Sequence, residues 1–131
     1  MANSVEIVDV TPRDGLQNER RTLPTDVKAE LVGLAIVAGA RRIEATSFVN
    51  PKLVPQLADA DELMATLDWP PGVSLIGLAL NERGVARALA SGINEVNFVV
   101  VATDTFSYRN QGTDTAGSIA ALHNIAGHVR D

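Results

Sequence analysis

The sequence contains no cysteine, so a disulfide framework and thiol chemistry are both excluded. It also lacks any apolar run approaching the ~18 residues that suggest a membrane span. No basic start followed by an apolar stretch marks a signal peptide, and a cytoplasmic protein is the expectation. Positive charge is scarce as well: 11 Lys and Arg stand against 16 Asp and Glu, a net charge of −5. Phosphate backbones want clustered cations, so neither a nucleic acid nor a membrane is an expected partner. Any anionic ligand must then be captured by local geometry. No Gly-x-Gly-x-x-Gly follows the first strand, which argues against a Rossmann-type nucleotide binder.

What is present is ordinary for a globular domain: 131 residues, 46% hydrophobic and 21% charged, enough to bury a core. Short β-branched runs alternate with longer alanine-rich helical patterns. Val5 to Val10 reads as a first strand ending at Thr-Pro. The first helix has Thr25 as N-cap and Gly39 as its stop, with Val27, Leu31, Leu34, Ala35 and Ala38 at helical spacing. A second strand, Arg42 to Thr46, leads into Ser47-Phe48-Val49-Asn50-Pro51-Lys52, and a second helix covers Leu57 to Leu67. The third strand is Val73 to Leu80, followed by a helix capped by Asn81 and stopped at Gly92. The fourth strand spans Glu95 to Ala102. A polar loop precedes a last helix from Thr115, with Ile119, Leu122, Ile125 and Val129 on one stripe.

The order β-α-β-α-β-α-β-α predicts parallel strands with helical crossovers. It fits a doubly wound sheet or part of a (β/α) barrel, and composition does not choose between them. In either case ligands gather at the carboxyl ends of the strands. Two αβ joints echo each other: Ala38-Gly39-Ala40-Arg41-Arg42-Ile43-Glu44 and Ser91-Gly92-Ile93-Asn94-Glu95-Val96-Asn97. Shared loop chemistry is the plainer account of that echo.

Two features carry chemistry. Arg13 and Asp14 sit in a turn directly after the first strand, opened by Pro12 and relaxed by Gly15. Arginine stays charged at physiological pH and can clamp a carboxylate or steady an enolate oxygen. Aspartate can ligate a hard cation such as Mg²⁺ or Mn²⁺. A plain surface ion pair is the alternative. Glu44 lies within a strand, where a carboxylate is costly unless paired or used. Strands one and two are neighbours in a β-α-β unit, so Glu44 is expected to face Arg13, either as a structural ion pair or as part of a site.

The run Val10-Thr11-Pro12-Arg13-Asp14-Gly15-Leu16-Gln17-Asn18-Glu19, with Arg42-Ile43-Glu44-Ala45-Thr46-Ser47-Phe48-Val49-Asn50-Pro51-Lys52-Leu53-Val54-Pro55-Gln56, resembles the 3-hydroxy-3-methylglutaryl-CoA lyases. The resemblance continues through Leu80-Asn81 and Phe106-Ser107-Tyr108-Arg109-Asn110. Related synthases follow the Arg-Asp pair with Gly-Glu-Gln, which favours the lyase branch here. The resemblance implies a TIM barrel, a divalent cation (Mg²⁺ or Mn²⁺) and an acyl-CoA substrate. It implies retro-Claisen cleavage of a 3-hydroxyacyl-CoA to acetyl-CoA and a keto acid, acetoacetate in the lyase proper. Asp14 would bind the metal. Arg13 would hold the thioester carbonyl and stabilise the enolate, with Glu44 beside it. Gln17, Ser47 and Asn110 are further candidates for substrate contact. Another acyl-CoA lyase or Claisen-type synthase, or a non-catalytic half-barrel that binds acyl-CoA or metal, are the alternatives.

Many such lyases have Gly where this chain has Thr11. The larger departure is that the family completes its metal site with a His-x-His pair and an Asn from later strands, and uses a loop cysteine; none is present. His123 and His128 do not replace that pair, because five helical steps set them about 140° apart; both read as surface residues. Lys52 and Arg109, on strand-end loops, read as solvated charge. A whole barrel takes ~250 residues and eight units. The expectation is therefore that residues 1–131 form the amino-terminal half of a (β/α)8 barrel, about four units of eight. Its first and last strands would be open edges, predicting self-association or pairing with a missing carboxy-terminal half.

Overall fold

The computed structural model describes residues 4–129. Four parallel strands, β1 (Val8–Asp9), β2 (Arg42–Ser47), β3 (Ser74–Ala79) and β4 (Glu95–Phe98), form one sheet in the order β1-β2-β3-β4. Five helices connect and follow them: α1 (Thr25–Val37), α2 (Ala60–Thr66), α3 (Glu82–Ala90), α4 (Asp104–Gln111) and α5 (Thr115–Val129).

The joints form for local reasons. Asn81 caps α3 as expected, its side-chain oxygen accepting from the Gly84 amide at 2.9 Å. Gly39 and Gly92, the glycines of the two echoed joints, take left-handed conformations at φ 102° and 76°. Shared backbone geometry thus underlies the echo.

Strand order chooses the barrel. A doubly wound sheet reverses direction after its first strands, whereas here each strand adds to the same side of the last. Stagger gives a second argument. Glu44 is in hydrogen-bond register with Ile76, and Ile76 with Glu95. Yet the Glu44 carboxylate meets Asn97, two residues beyond Glu95, at 2.9 Å. Arg42 likewise pairs with Glu95. Two residues of offset across two strands is one per strand, the shear of an eight-stranded barrel.

The two faces of the sheet differ sharply. Toward the helices, Ile43, Ala45, Val73 and Leu75 pack with Val32, Ala60, Met64 and Ala88 in one core. Gly77 leaves room there, since a Cβ would lie 2.6 Å from the Phe48 ring and 2.9 Å from Ile93. The opposite face carries Arg42, Glu44, Ser74, Glu95 and Asn97 beside Ile76 and Leu78; Arg42 and Glu44 of β2 reach Glu95 and Asn97 of β4, as in the interior layers of such barrels, and Ser74 of β3 also bonds Glu95.

Several boundaries differ from expectation. The first strand pairs only over Val8–Asp9, and Val5 and Ile7 before it are exposed. The buried stripe of α1 is Lys28 and Val32, not the expected set; Val27 and Leu34 of that set are exposed. The second helix starts later, after a short 3₁₀ turn at Pro55–Leu57. The fourth strand stops at Phe98, short of the β-prone Val99-Val100-Val101. The segment read as a polar loop holds α4, ended by Gly112 at φ 74°. Of the α5 stripe, Ile125 is buried, while Ile119 and Val129 are largely exposed. His123 is exposed as expected, and the His128 side chain lies outside the described residues.

Among the described residues, Arg42 and Glu95 make the one cluster whose charges are clearly perturbed. The Arg42 hydrogen bond, and after it the Ser74 hydroxyl, hold the Glu95 carboxyl below the usual glutamate range. In turn, the hydrogen bond to Glu95 raises the Arg42 guanidinium further above its ordinary value. A carboxyl lowered by folding stabilises the native state above its unfolded value of about 4.3, and that contribution fades as pH falls through the lowered value. Urea unfolding between pH 6 and pH 3 should show the midpoint falling less steeply in Glu95→Gln than in the unmodified chain. Equal slopes would rule this pair out as a source of acid lability.

Candidate functional site

The segment after β1 is fixed before any side chain acts. Pro12 is buried near the start of a single turn of π-helix over Thr11–Gly15. Three successive amides, Arg13, Asp14 and Gly15, point at one carbonyl, Val10, at 3.2, 2.8 and 3.3 Å. The Thr11 amide is taken by Asp9 Oδ1 at 2.8 Å. Gly15 keeps negative φ and a Cβ there would meet only ordinary contacts, so the turn does not depend on its freedom. That corrects the reading of Gly15 as the residue that relaxes the turn.

From this platform Arg13 reaches across to β2. Its Nε and Nη2 both lie 2.5 Å from Glu44 Oε2. The other guanidinium edge faces Asp14 Oδ1 at 2.9 Å and Gln17 Oε1 at 3.3 Å. Glu44 is 2% exposed, and its second oxygen accepts from Asn97 Nδ2 at 2.9 Å. The predicted facing of Arg13 and Glu44 is observed. Asn97 was not anticipated as part of it, although the echo between the two αβ joints places Asn97 at the position equivalent to Glu44.

A β-bulge shapes the end of β2. The register runs Glu44 with Ile76, Thr46 with Gly77 and Ser47 with Leu78, leaving Ala45 as the extra residue. Ile76 and Leu78 share a face, so Glu44 and Ser47, three residues apart, share it too. Simple alternation would have put Ser47 on the helix side. Its hydroxyl is buried and, among the described residues, has no hydrogen-bond partner, as is also true of Thr46.

Other candidates lie further out. Asp14 is 58% exposed, its Oδ1 held by Arg13. Among the described residues no group of three His, Asp or Glu is placed to hold a metal ion. One carboxylate therefore fits a single ligand position for a hard cation, not a complete site. Asn110 is exposed and belongs to α4, not to a loop. Lys52 lines a groove of about 640 Å³ together with Asn81, Arg83 and Arg87, apart from Arg13 and Glu44. Arg109 is exposed on α4.

Comparison with known proteins bears on both the turn and the sheet. No family model matches the sequence. The mitochondrial hydroxymethylglutaryl-CoA lyase of Gallus gallus is 44% identical over 126 residues, covering 96% of this chain and 42% of that protein. The lyase of Brucella melitensis superposes with a TM-score of 0.91 at 42% identity, over 97% of this chain and 45% of that one. This chain is related to the hydroxymethylglutaryl-CoA lyases over nearly all of its length. It spans only about two fifths of theirs. A second lyase structure, from Acinetobacter baumannii with coenzyme A and 3-methylmalate, gives a TM-score of 0.92 at 35% identity and covers 95% of this chain and 41% of that one. Relatives include both mitochondrial and cytoplasmic lyases. The shared fold is that of the lyase barrel, here as a four-stranded part of it.

Removing one partner of the Arg13–Glu44 pair strands a buried charge, which typically costs about 3 kcal/mol. Urea unfolding of Glu44→Leu and Arg13→Met should each show a loss near that size. The double variant should lose less than the sum by about 2 kcal/mol, as expected of groups in contact. Additive losses would mean that the contact contributes no coupling in solution.

Proposed function

We propose that this chain supplies the arginine half of a hydroxymethylglutaryl-CoA lyase site and completes it only with the rest of a barrel. The observation that supports this best is Arg13 held at 2.5 Å on Glu44, in a turn at the carboxyl end of β1. Glu44 fixes the guanidinium plane without consuming its whole donor set, because Nη1 faces the open side with Asp14 and Gln17. An acyl-CoA entering from that side would bring its thioester oxygen to the guanidinium. Negative charge developing there as the carbon–carbon bond breaks would meet a cation already in place, which lowers the barrier without reorganisation. The buried Ser47 hydroxyl, without a partner among the described residues, is a donor for the same substrate.

Asp14 is the one residue here assigned to the divalent cation, through its exposed carboxylate. A bound Mg²⁺ or Mn²⁺ would supply Lewis acidity toward substrate oxygens. The remaining donors would come from the later strands of a whole barrel.

A chimera tests this reading: residues 4–129 in place of the matching segment of the Brucella melitensis lyase. With Mn²⁺ it should cleave 3-hydroxy-3-methylglutaryl-CoA, and Arg13→Ala should lower kcat about 10³-fold. A folded chimera without cleavage, or an Arg13→Ala chimera that keeps its rate, would reject the assignment.

Incompleteness has its own consequence for the chain alone. The sheet ends in two parallel edges, β1 and β4. Val5 and Ile7 just before β1, and Val37 at the end of α1, are more than three-quarters exposed. Open edges beside apolar surface favour pairing, so self-association is proposed. Light scattering at micromolar concentration should give a mass above that of one chain; a stable monomer would refute it.

A further inference from the structure

Lys28 stands out because every local rule opposes it. It is 2% exposed, although lysine is among the residues least often buried. It also lies in the first turn of α1, where the helix dipole disfavours a cation. Such a placement persists only if strong acceptors hold the ammonium. Two do: Asp59 Oδ1 at 2.6 Å and the Gln56 carbonyl at 2.5 Å.

Asp59 is equally telling. It occupies the N-cap of α2, where an aspartate ordinarily accepts from the helix amides. Here its side chain makes no capping bond and turns instead to Lys28 and to the Thr25 hydroxyl, 2.7 Å from Oδ2. A helix cap is thus given up to hold the lysine.

The third member points toward the site. While the Gln56 carbonyl accepts from Lys28, its side-chain amide donates to the Glu19 carbonyl at 2.8 Å. Glu19 ends the segment that begins with Arg13, and its own amide bonds Leu16. A continuous path therefore runs from α1 and the start of α2 to the far end of the arginine turn. We propose that Lys28, Asp59 and Gln56 form a positioning latch that orders residues 11–20 and so keeps Arg13 over Glu44. This rests on the proposed function only for the meaning of that segment; its ordering is measured without any acyl-CoA.

Arg20 and Arg21, just beyond Glu19 and exposed, provide a trypsin reporter beside hydrogen exchange of residues 11–20. Gln56→Met keeps the chain length but removes the donor to Glu19, and it leaves Lys28 paired with Asp59. Exchange over residues 11–20 and cleavage after Arg20 or Arg21 should accelerate about fivefold, the effect of one lost hydrogen bond on local opening. Protection in β3 and β4 should not change. Lys28→Met should accelerate the same segment at least as much, and the double variant no more than Lys28→Met. Unchanged exchange over 11–20 in Gln56→Met, or loosening spread equally into β3 and β4, would overturn the latch. Should Lys28→Met fail to fold, Gln56→Met alone decides. Failure of the lyase chimera with the latch intact would reject the function and leave the latch standing.

Discussion

A carboxylate left 2% exposed on an inner strand must be answered by donors, and Glu44 is answered from two directions. Arg13 approaches from the turn after β1 with two nitrogens on one oxygen, and Asn97 from β4 with an amide on the other. One side chain on β2 therefore ties together the first and last strands of the sheet. Removing a charge from water without partners is expensive enough to unfold a small domain, so the turn geometry and the strand stagger are both bound to this residue. The fork that neutralises Glu44 also leaves Arg13 with a fixed orientation and a spare edge.

That arrangement links stability to chemistry in an uncommon way. Ion pairs buried in cores usually give little net stability. Here the pair sits at the carboxyl end of the strands, where (β/α) folds place their sites. The bulge at Ala45 adds to it by turning Ser47 onto the Glu44 face. Bulges near sites serve to re-aim side chains, and this one moves a hydroxyl from the helix-packed side to the Glu44 side, where it stays buried.

How much of this could be read in the sequence depended on the range of the interaction. Arg13 and Glu44 were legible because each breaks a local rule: a charged pair directly after a strand, and a carboxylate inside one. Helix stops at Gly39 and Gly92 and the Asn81 cap were legible because they are local chemistry. The inner face of α1 was misread, since Lys28 carries no apolar signal and its burial depends on Asp59, 31 residues away. Helix α4 escapes the sequence pattern because its residues, Asp104 to Gln111, are mostly polar, and Phe106 and Tyr108, two apart, form no helical stripe. The strand at Val99-Val100-Val101 was overextended because propensity persists where pairing ends. Ser47 was named as a candidate, but nothing in the sequence announces the bulge that puts it on the Glu44 face.

The polar inner face has a consequence for how such a barrel can be assembled. A sheet that showed Leu and Val inward would stick to any apolar surface it met. This one sets Arg42, Ser74, Glu95, Glu44 and Asn97 beside Ile76 and Leu78, its polar groups paired among themselves across the strands. A segment that closes against it must present complementary groups at the right height, and a mismatched one leaves charges stranded. Selectivity for the correct companion strands is thereby written into the lining of the barrel, by penalising every wrong one.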